Sequence, residues 1–152
     1  MMRDRSIPIE QFHKSLRFRT KDRGVTNITD EVEQVLKESD IFGGIVTLHC
    51  VHTSASLLIQ ENSDPNVIRD LEAWFNRVIP RDDKFWAHRA EGPDDMPAHV
   101  RAALTQSSIT LPFSGKNLLL GQWQAIYLYE HRDDVHERSV IVHVMGEQRL
   151  VD

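Results

Sequence analysis

The chain has 152 residues, a mass of 17.6 kDa and a net charge of −5, because 23 acidic side chains outnumber 18 Lys and Arg. This length predicts a single domain over residues 1–152, and the lone cysteine, Cys50, excludes an intrachain disulfide framework. The acidic balance argues against nucleic-acid binding, and the chain has no long apolar run of the kind that spans a membrane. Since the N-terminal segment also has no apolar core typical of a secretion signal, we expect a cytoplasmic protein without a membrane partner.

The first half of the chain predicts strands around one helix. Residues 1–24 carry seven Lys and Arg against three acidic side chains, and the alternation from Leu16 to Arg19 is typical of a half-exposed edge strand, although a basic arm could also bind anions. Apolar residues at helical spacing predict a helix within residues 27–39. Two β-branched or apolar runs, 45–51 and 56–60, predict strands that could be neighbours.

Asp64 and Pro65 predict the start of a second helix, since they suit the N-cap and the first helical position, and Pro80 ends it. Its apolar side chains form one stripe that we expect to lie in the core: Val67, Ile68, Leu71, Trp74, Phe75 and Val78.

Residues 81–98 have no periodicity but include Phe85 and Trp86, which favours an ordered irregular segment. A short helix is expected after it, with Val100, Ala103 and Leu104 facing inward. Further strands are predicted at 109–113, 118–120, 124–130 and 139–145. Strands without a regular alternation with helices predict an α+β fold with a largely antiparallel sheet.

Three of the eight histidines stand in unusual settings: His52 at a strand end, His88 in the irregular segment and His99 near the start of the third helix. Three imidazoles are a typical ligand set for a transition metal that keeps a position open. Nearby carboxylates, Glu91 and Asp95 among them, could complete the ligand set or orient an imidazole. Because no HExxH pair occurs, three ordinary histidines bonded to backbone carbonyls remain the alternative.

Four of the other five histidines are expected to be structural in strands, as for His49 and His143, or solvated in the charged turn HRDDVHERS, as for His131 and His136. Phosphate-loop, GxGxxG, GxSxG and CxxC signatures are absent from the sequence.

Polar and aromatic residues gather in two further blocks, ENSDP and GQWQ. Gln124 could hydrogen-bond an amide or aminopyrimidine edge and Trp123 could stack on a ring, although a glycine bulge with a core tryptophan is the alternative that we favour. Glu130 and Arg138 flank the last turn and could form a cross-strand ion pair.

The blocks HTSAS, ENSDP, AEGPDDMPAH and LLLGQWQAIYLYEH occur in an order that resembles the YjbQ-like family, from about Phe12 to Glu147. The resemblance implies an α+β fold with largely antiparallel, β-sandwich-like sheets, flanking helices and a homotrimeric assembly. It also implies thiamine-phosphate synthase activity, in which hydroxymethylpyrimidine diphosphate joins a thiazole phosphate and diphosphate leaves, assisted by a divalent metal. That metal would be zinc or another transition metal if histidines bind it, and magnesium if diphosphate does.

The resemblance, taken with the residue pattern, implies the following site. The metal ligands would be His52, His88 and His99. The catalytic residues would be His52, Glu91, Asp95, Gln124 and Glu130. The residues that bind a small phosphorylated substrate would be Thr53, Asn62, Trp123 and Arg138.

The sequence departs from the family pattern at Ser54, at the inserted pair Met96-Pro97 and at HRDDVHERS. These departures indicate a subgroup whose chemistry could differ. One alternative is another metal-dependent reaction at the same histidines, such as a hydrolysis with Glu91 or Asp95 as general base. The other is a trimeric module that binds an anion without catalysis.

Overall fold

The structure is a computed structural model that describes residues 7–148. The first six residues of the basic N-terminal arm therefore lie outside the described part of the chain. Within that part the helices are α1 (Thr29–Glu38), α2 (Pro65–Val78) and α3 (Asp95–Leu104). The strands are β1 (Ile9–Thr20), β2 (Gly24–Asn27), β3 (Gly43–Cys50), β4 (Ala55–Glu61), β5 (Ser108–Ser114), β6 (Asn117–Leu118), β7 (Gln124–Glu130) and β8 (His136–Glu147).

The strands form two antiparallel sheets, which confirms the predicted α+β class. The larger sheet has the order β1-β8-β3-β5-β6 and the smaller one has the order β2-β7-β4. β1 lies at the edge of the larger sheet, as its basic alternation predicted. The prediction that 45–51 and 56–60 are neighbours is wrong, because β3 and β4 belong to different sheets and the segment 51–54 carries the chain from one to the other.

The main core lies between the two sheets and includes one face of α1. Inward-facing residues of β3, β8, β4 and β7 meet there with the apolar stripe of α1, and Cys50 is buried among them. β7 is buried on both faces, since it is the middle strand of a sheet that is covered on both sides. A second apolar cluster, centred on Phe75, Ile79 and Tyr129, packs α2 against the outer face of the smaller sheet.

α2 begins as predicted, because the side chain of Asp64 accepts a hydrogen bond from the backbone N–H of Asn66 at 2.9 Å. The expected burial of its whole apolar stripe is wrong. Phe75 is buried, but Trp74 and Val78 are 47% and 52% exposed. The smaller sheet has three strands and is too narrow to cover all of that stripe.

The inward face of α3 also differs from the prediction. Ala103 and Leu104 are exposed, whereas Asp95, Ala98 and Arg101 are buried. The reason is electrostatic: this helix turns its charged side chains toward partners on α2 and on the loop that precedes it. Within residues 7–148, no helix is both long and apolar enough to span a membrane.

Candidate functional site

Three side chains converge where the loop between α2 and α3 meets the first turns of α3. His88 Nε2 lies 2.6 Å and His99 Nε2 lies 3.0 Å from the same oxygen, Oδ2 of Asp95. The potential ligand atoms of the three residues all lie within 4.8 Å of one another. We call His88, Asp95 and His99 the His–Asp–His group.

Helical spacing brings two members of the group together. Asp95 and His99 are four residues apart on α3, so their side chains lie on the same face of the helix. The inserted Met96-Pro97 lies between them in the first turn, where a proline is tolerated because the backbone N–H groups there have no partner within the helix. The departure from the family pattern therefore sits inside the candidate site.

The third member, His88, is held by a loop that has its own internal bonds. The indole Nε1 of Trp86 donates to the carbonyl of Pro80 at 3.0 Å, and the guanidinium of Arg89 donates to the carbonyls of Lys84 and Trp86. These bonds confirm an ordered irregular segment, although its predicted last residues, 95–98, belong to α3.

Asp95 is the buried member of the group. Its side chain is 2% exposed, whereas those of His88 and His99 are 42% and 30% exposed. Burial by itself raises the pKa of Asp95, but the hydrogen bond from His88 and the positive charges of His99 and Arg132 outweigh it and hold that pKa below its usual range. The carboxylate is therefore ionised and its two imidazole partners are accessible from solvent.

The guanidinium of Arg132, which was not among the predicted site residues, lies beside the group. Arg132 Nε lies 3.1 Å from Asp94 Oδ2, its Nη1 lies 3.4 Å from Asp95 Oδ1, and its Nη2 donates to the carbonyl of Glu91 at 2.8 Å. Arg132 thus fixes the loop before α3 and adds positive charge beside the carboxylate. Arg132 belongs to HRDDVHERS, whose departure from the family pattern could have indicated its role, but we expected a solvated turn there.

The backbone of Thr53 orients one of the imidazoles. Its carbonyl oxygen lies 2.8 Å from Nδ1 of His99, so that nitrogen donates and Nε2 is directed at the group. A metal-ligating histidine commonly donates its second ring N–H in this way. The side chain of Thr53 is exposed, and its predicted contact with substrate stays a prediction.

His52 lies outside the His–Asp–His group. Its Nε2 accepts the backbone N–H of Ser139 at 2.9 Å. Burial and the charge of Arg138 lower its pKa, so the imidazole is neutral and serves here as a hydrogen-bond acceptor. The structure thus brings together two of the three predicted histidine ligands and adds the carboxylate of Asp95.

Glu130 and Arg138 form the predicted ion pair, and it is buried. Arg138 Nε donates to Glu130 Oε1 at 2.8 Å, and the two side chains are 1% and 5% exposed. Burial raises the pKa of Glu130, but the bonds from Arg138 and Thr20 outweigh it and lower that pKa. Their burial favours a supporting role over direct contact with a substrate.

The two remaining predicted blocks meet at the opposite end of the β4–β7 pair. Glu61 pairs with Gln124 there, and the backbone N–H of Asn62 donates to the carbonyl of Trp123 at 2.9 Å. Trp123 is 53% exposed, so the core position that we favoured for it is wrong. The side chain of Gln124 accepts the backbone N–H of Gly121 at 2.8 Å and closes a turn. A strand of seven residues is roughly 20 Å long, which separates this block from the His–Asp–His group within one chain.

Glu91 is exposed at the rim of the group, and its backbone carbonyl accepts a hydrogen bond from Arg132. Its predicted role as a general base stays a prediction. The expectation that His131 is solvated is wrong, because this residue is 1% exposed. It directly follows the buried strand β7 and bonds Ser56 Oγ through Nε2 at 2.7 Å.

The donors present fit a divalent transition metal. Two imidazole nitrogens and one carboxylate oxygen from three side chains leave coordination positions for water or substrate. The backbone bond to His99 supplies the outer support that such ligands usually have. This donor set suits zinc, iron or another transition metal better than magnesium, which prefers oxygen ligands.

Comparisons with known proteins agree with the fold and the motifs. A sequence profile described as "UPF0047 protein YjbQ-like" matches residues 14–147. A UPF0047 protein of Synechocystis sp. is 43% identical over 137 residues, which cover 90% of this chain and 93% of the relative. A conserved hypothetical protein of Thermus thermophilus has a crystal structure that matches with a TM-score of 0.77 at 32% identity, over 91% of this chain and 99% of that one.

A structure at lower identity supports the fold alone. A YbjQ-like protein of unknown function from Sulfolobus solfataricus P2 matches with a TM-score of 0.83 at 22% identity, over 92% of this chain and 100% of that one. The profile covers most of the chain, including every member of the His–Asp–His group. The chain therefore belongs to the YjbQ-like UPF0047 family.

Proposed function

We propose that this protein is a metal-dependent enzyme that acts on a small phosphorylated substrate at the His–Asp–His group. The observation that carries the proposal is the convergence of two imidazoles on one buried carboxylate, with their ligand atoms within 4.8 Å. The reaction that the family resemblance implies is the transfer that joins hydroxymethylpyrimidine diphosphate to a thiazole phosphate and releases diphosphate.

The metal would supply charge neutralisation for the departing diphosphate. Residues of the chain would orient the metal ligands and leave space for the substrate. The carbonyl of Thr53 orients His99, and Arg132 holds the carboxylate of Asp95 in place. The accessible sides of His88 and His99 leave room for a substrate.

A cavity of about 280 Å³ adjoins His88 and has the size of a small substrate. Trp86 and Arg89 line part of it, beside the acidic side chains of Asp82 and Asp83. Arg89 donates to backbone carbonyls, which are neutral. A guanidinium and an aromatic ring can together contact a phosphorylated heterocycle, and the two carboxylates limit how much negative charge the cavity accepts.

The first test is the metal content of protein purified without a histidine tag. We expect about one transition-metal ion per chain in the wild type, and loss of that metal in His99→Ala. His49→Ala is the matched control, because it removes an exposed imidazole that bonds Ser108 within the larger sheet, outside the His–Asp–His group. Equal metal content in all three proteins, or none in the wild type, would contradict the proposed site.

The metal-loaded wild type is then assayed with the pyrimidine diphosphate and the thiazole phosphate together. Product formation that requires the metal and fails in His99→Ala would support the transferase. If the two substrates are left unchanged, hydrolysis of simple phosphate esters tests the alternative reaction, which the exposed Glu91 beside Asp95 favours. A site that holds metal and anions but turns over neither set would instead be a binding module.

We further propose that the protein is a cytoplasmic homotrimer. The helices α2 and α3 form a layer outside the smaller sheet and expose three apolar side chains: Trp74 is 47%, Val78 52% and Leu104 59% exposed. Exposed apolar groups of this size are typical of interfaces. Sedimentation at micromolar concentration should give a trimer, and Trp74→Glu should dissociate it. A wild type that sediments as a monomer would contradict this assembly.

A further inference from the structure

The buried ion pair behind the His–Asp–His group reaches both structural supports of that group. Glu130 is the last residue of β7, and Arg138 lies near the start of β8, so the pair bridges the two sheets at the point where segment 51–54 crosses between them. A buried ion pair is weak evidence of stability by itself, because desolvation offsets most of the attraction. The hydrogen bonds that Glu130 and Arg138 make with other residues therefore indicate more about the role of the pair than its own attraction does.

One set of contacts leads to His99. Arg138 Nη2 donates to the carbonyl oxygen of Ser54 at 3.3 Å and to its hydroxyl at 3.1 Å. Ser54 adjoins Thr53, whose carbonyl receives Nδ1–H of His99. The guanidinium thus fixes the short segment whose backbone orients a predicted metal ligand.

The other set leads to Asp95. Glu130 Oε2 accepts the backbone N–H groups of His131 and Arg132 at 3.1 and 3.2 Å. The side chain of Arg132 then reaches Asp94, Asp95 and the carbonyl of Glu91. The carboxylate of Glu130 thus holds the backbone of Arg132, whose side chain binds the loop before α3.

We infer that Glu130 and Arg138 are positioning residues, which hold Thr53 and Arg132 in the places from which these orient His99 and Asp95. The inference rests on the proposed metal function, and it assigns the pair no contact with substrate or metal. The forked guanidinium of Arg138 binds both carboxylate oxygens of Glu130, through Nε and Nη2, while Nη2 also reaches Ser54. The single ammonium of a lysine cannot occupy both of these donor positions.

The test variant is Arg138→Lys, which keeps the positive charge but lacks the fork. We expect the dissociation constant for Co²⁺ to rise about tenfold and the visible absorption band of the bound ion to shift, as when an outer-shell partner of a ligand is lost. Val46→Ala is the matched control: it weakens the core between the sheets without touching the pair or the group, and it should leave both readouts unchanged.

If Arg138→Lys does not fold, the double variant Glu130→Leu/Arg138→Met takes its place. Apolar replacement of both partners commonly preserves stability, yet it removes the bonds to Ser54 and to the backbone of 131 and 132. A folded variant of either kind that binds Co²⁺ with wild-type affinity and spectrum would overturn the inference.

A crystal structure of the metal-free variant separates this inference from the proposed function. We expect the Thr53 oxygen to move beyond hydrogen-bond distance of His99 Nδ1, from 2.8 Å in the wild type. If the wild type binds no Co²⁺, the proposed metal function fails, whereas an unchanged distance in the variant refutes the positioning role alone.

Discussion

Asp95 combines features that a sequence pattern rarely reveals together. It is buried, its Oδ2 lies within hydrogen-bond distance of two imidazole nitrogens, and a guanidinium lies beside it. Burying a carboxylate is unfavourable unless cationic or hydrogen-bonding partners surround it, so these contacts are required for its position. Its sequence context, between histidines in an irregular segment, predicted a role near the site but not burial.

His131 shows the opposite case, a histidine kept neutral by burial. Burial and the charge of Arg101 lower its pKa from 6.5 to about 3. Within the described residues, Nδ1 of its ring has no hydrogen-bond partner. The imidazole of His131 takes up a proton at pH 6.5 in the unfolded chain but only near pH 3 in the folded one. Below pH 6.5 protonation therefore stabilises the unfolded chain, and the free energy of unfolding falls as the pH falls.

We therefore predict that the free energy of unfolding falls by about 2 kcal/mol between pH 7.5 and pH 5 on account of His131. Urea denaturation with a chelator present measures this change. His131→Gln should reduce the pH dependence by about that amount, and His49→Gln, at the surface of the other sheet, should leave it as in the wild type. A His131→Gln curve as steep as that of the wild type would contradict the prediction.

At the scale of elements, β3 and β8 face each other at a pair of glycines. Gly44 lies opposite Gly146 in their register and has a φ of +154°. A Cβ added at Gly44 would overlap the carbonyl oxygen of Met145, and one at Gly146 would overlap the carbonyl of Gly43. The two strands can pair at this point only if both positions lack a side chain.

Gly44→Ala should accordingly lower the free energy of unfolding by about 3 kcal/mol, since it adds overlap to an unfavourable φ. Gly24→Ala is the control: its φ is +143°, but nothing lies within 4 Å of the added carbon. Its loss should be about 1 kcal/mol. Chemical denaturation of both variants checks the difference, and equal losses would refute the overlap as the cause.

For the whole molecule, the smaller sheet packs against the main core on one face and against the layer formed by α2 and α3 on the other. Arg101 fastens that layer: it is 1% exposed, its Nη1 lies 3.1 Å from Glu72 Oε1, and its Nη2 donates to Asn76 Oδ1 at 2.7 Å. Tyr129 on β7 donates to the same Glu72 carboxylate. One polar network thus joins α3, α2 and the sheet.

Removing Arg101 should loosen α3, which carries two of the three members of the His–Asp–His group. We predict that Arg101→Ala lowers the free energy of unfolding by about 3 kcal/mol, because it leaves Glu72 and Asn76 without their buried partner. Arg77→Ala, on the exposed side of α2, should change it by no more than about 0.5 kcal/mol. A small effect at Arg101 would show that apolar contacts alone attach the layer.

Features with local causes could be predicted from the order of the amino acids. Period-two alternation predicted the edge strand, the Asp64 cap predicted the start of α2, and ordered motif blocks predicted the family. The sequence also named His88, Asp95 and His99 among the candidates, because histidines in an irregular segment and at an element end, close to carboxylates, are unusual.

Which candidate residues meet depends on contacts between distant parts of the chain. The tertiary structure placed β3 and β4 in different sheets, left His52 bonded to Ser139, exposed Trp74 and buried His131. It also recruited the carbonyl of Thr53 and the guanidinium of Arg132, whose roles have no local signature. The physical reason is that burial and partner choice depend on contacts between residues distant in the chain, whereas propensity, capping and periodicity depend on neighbours.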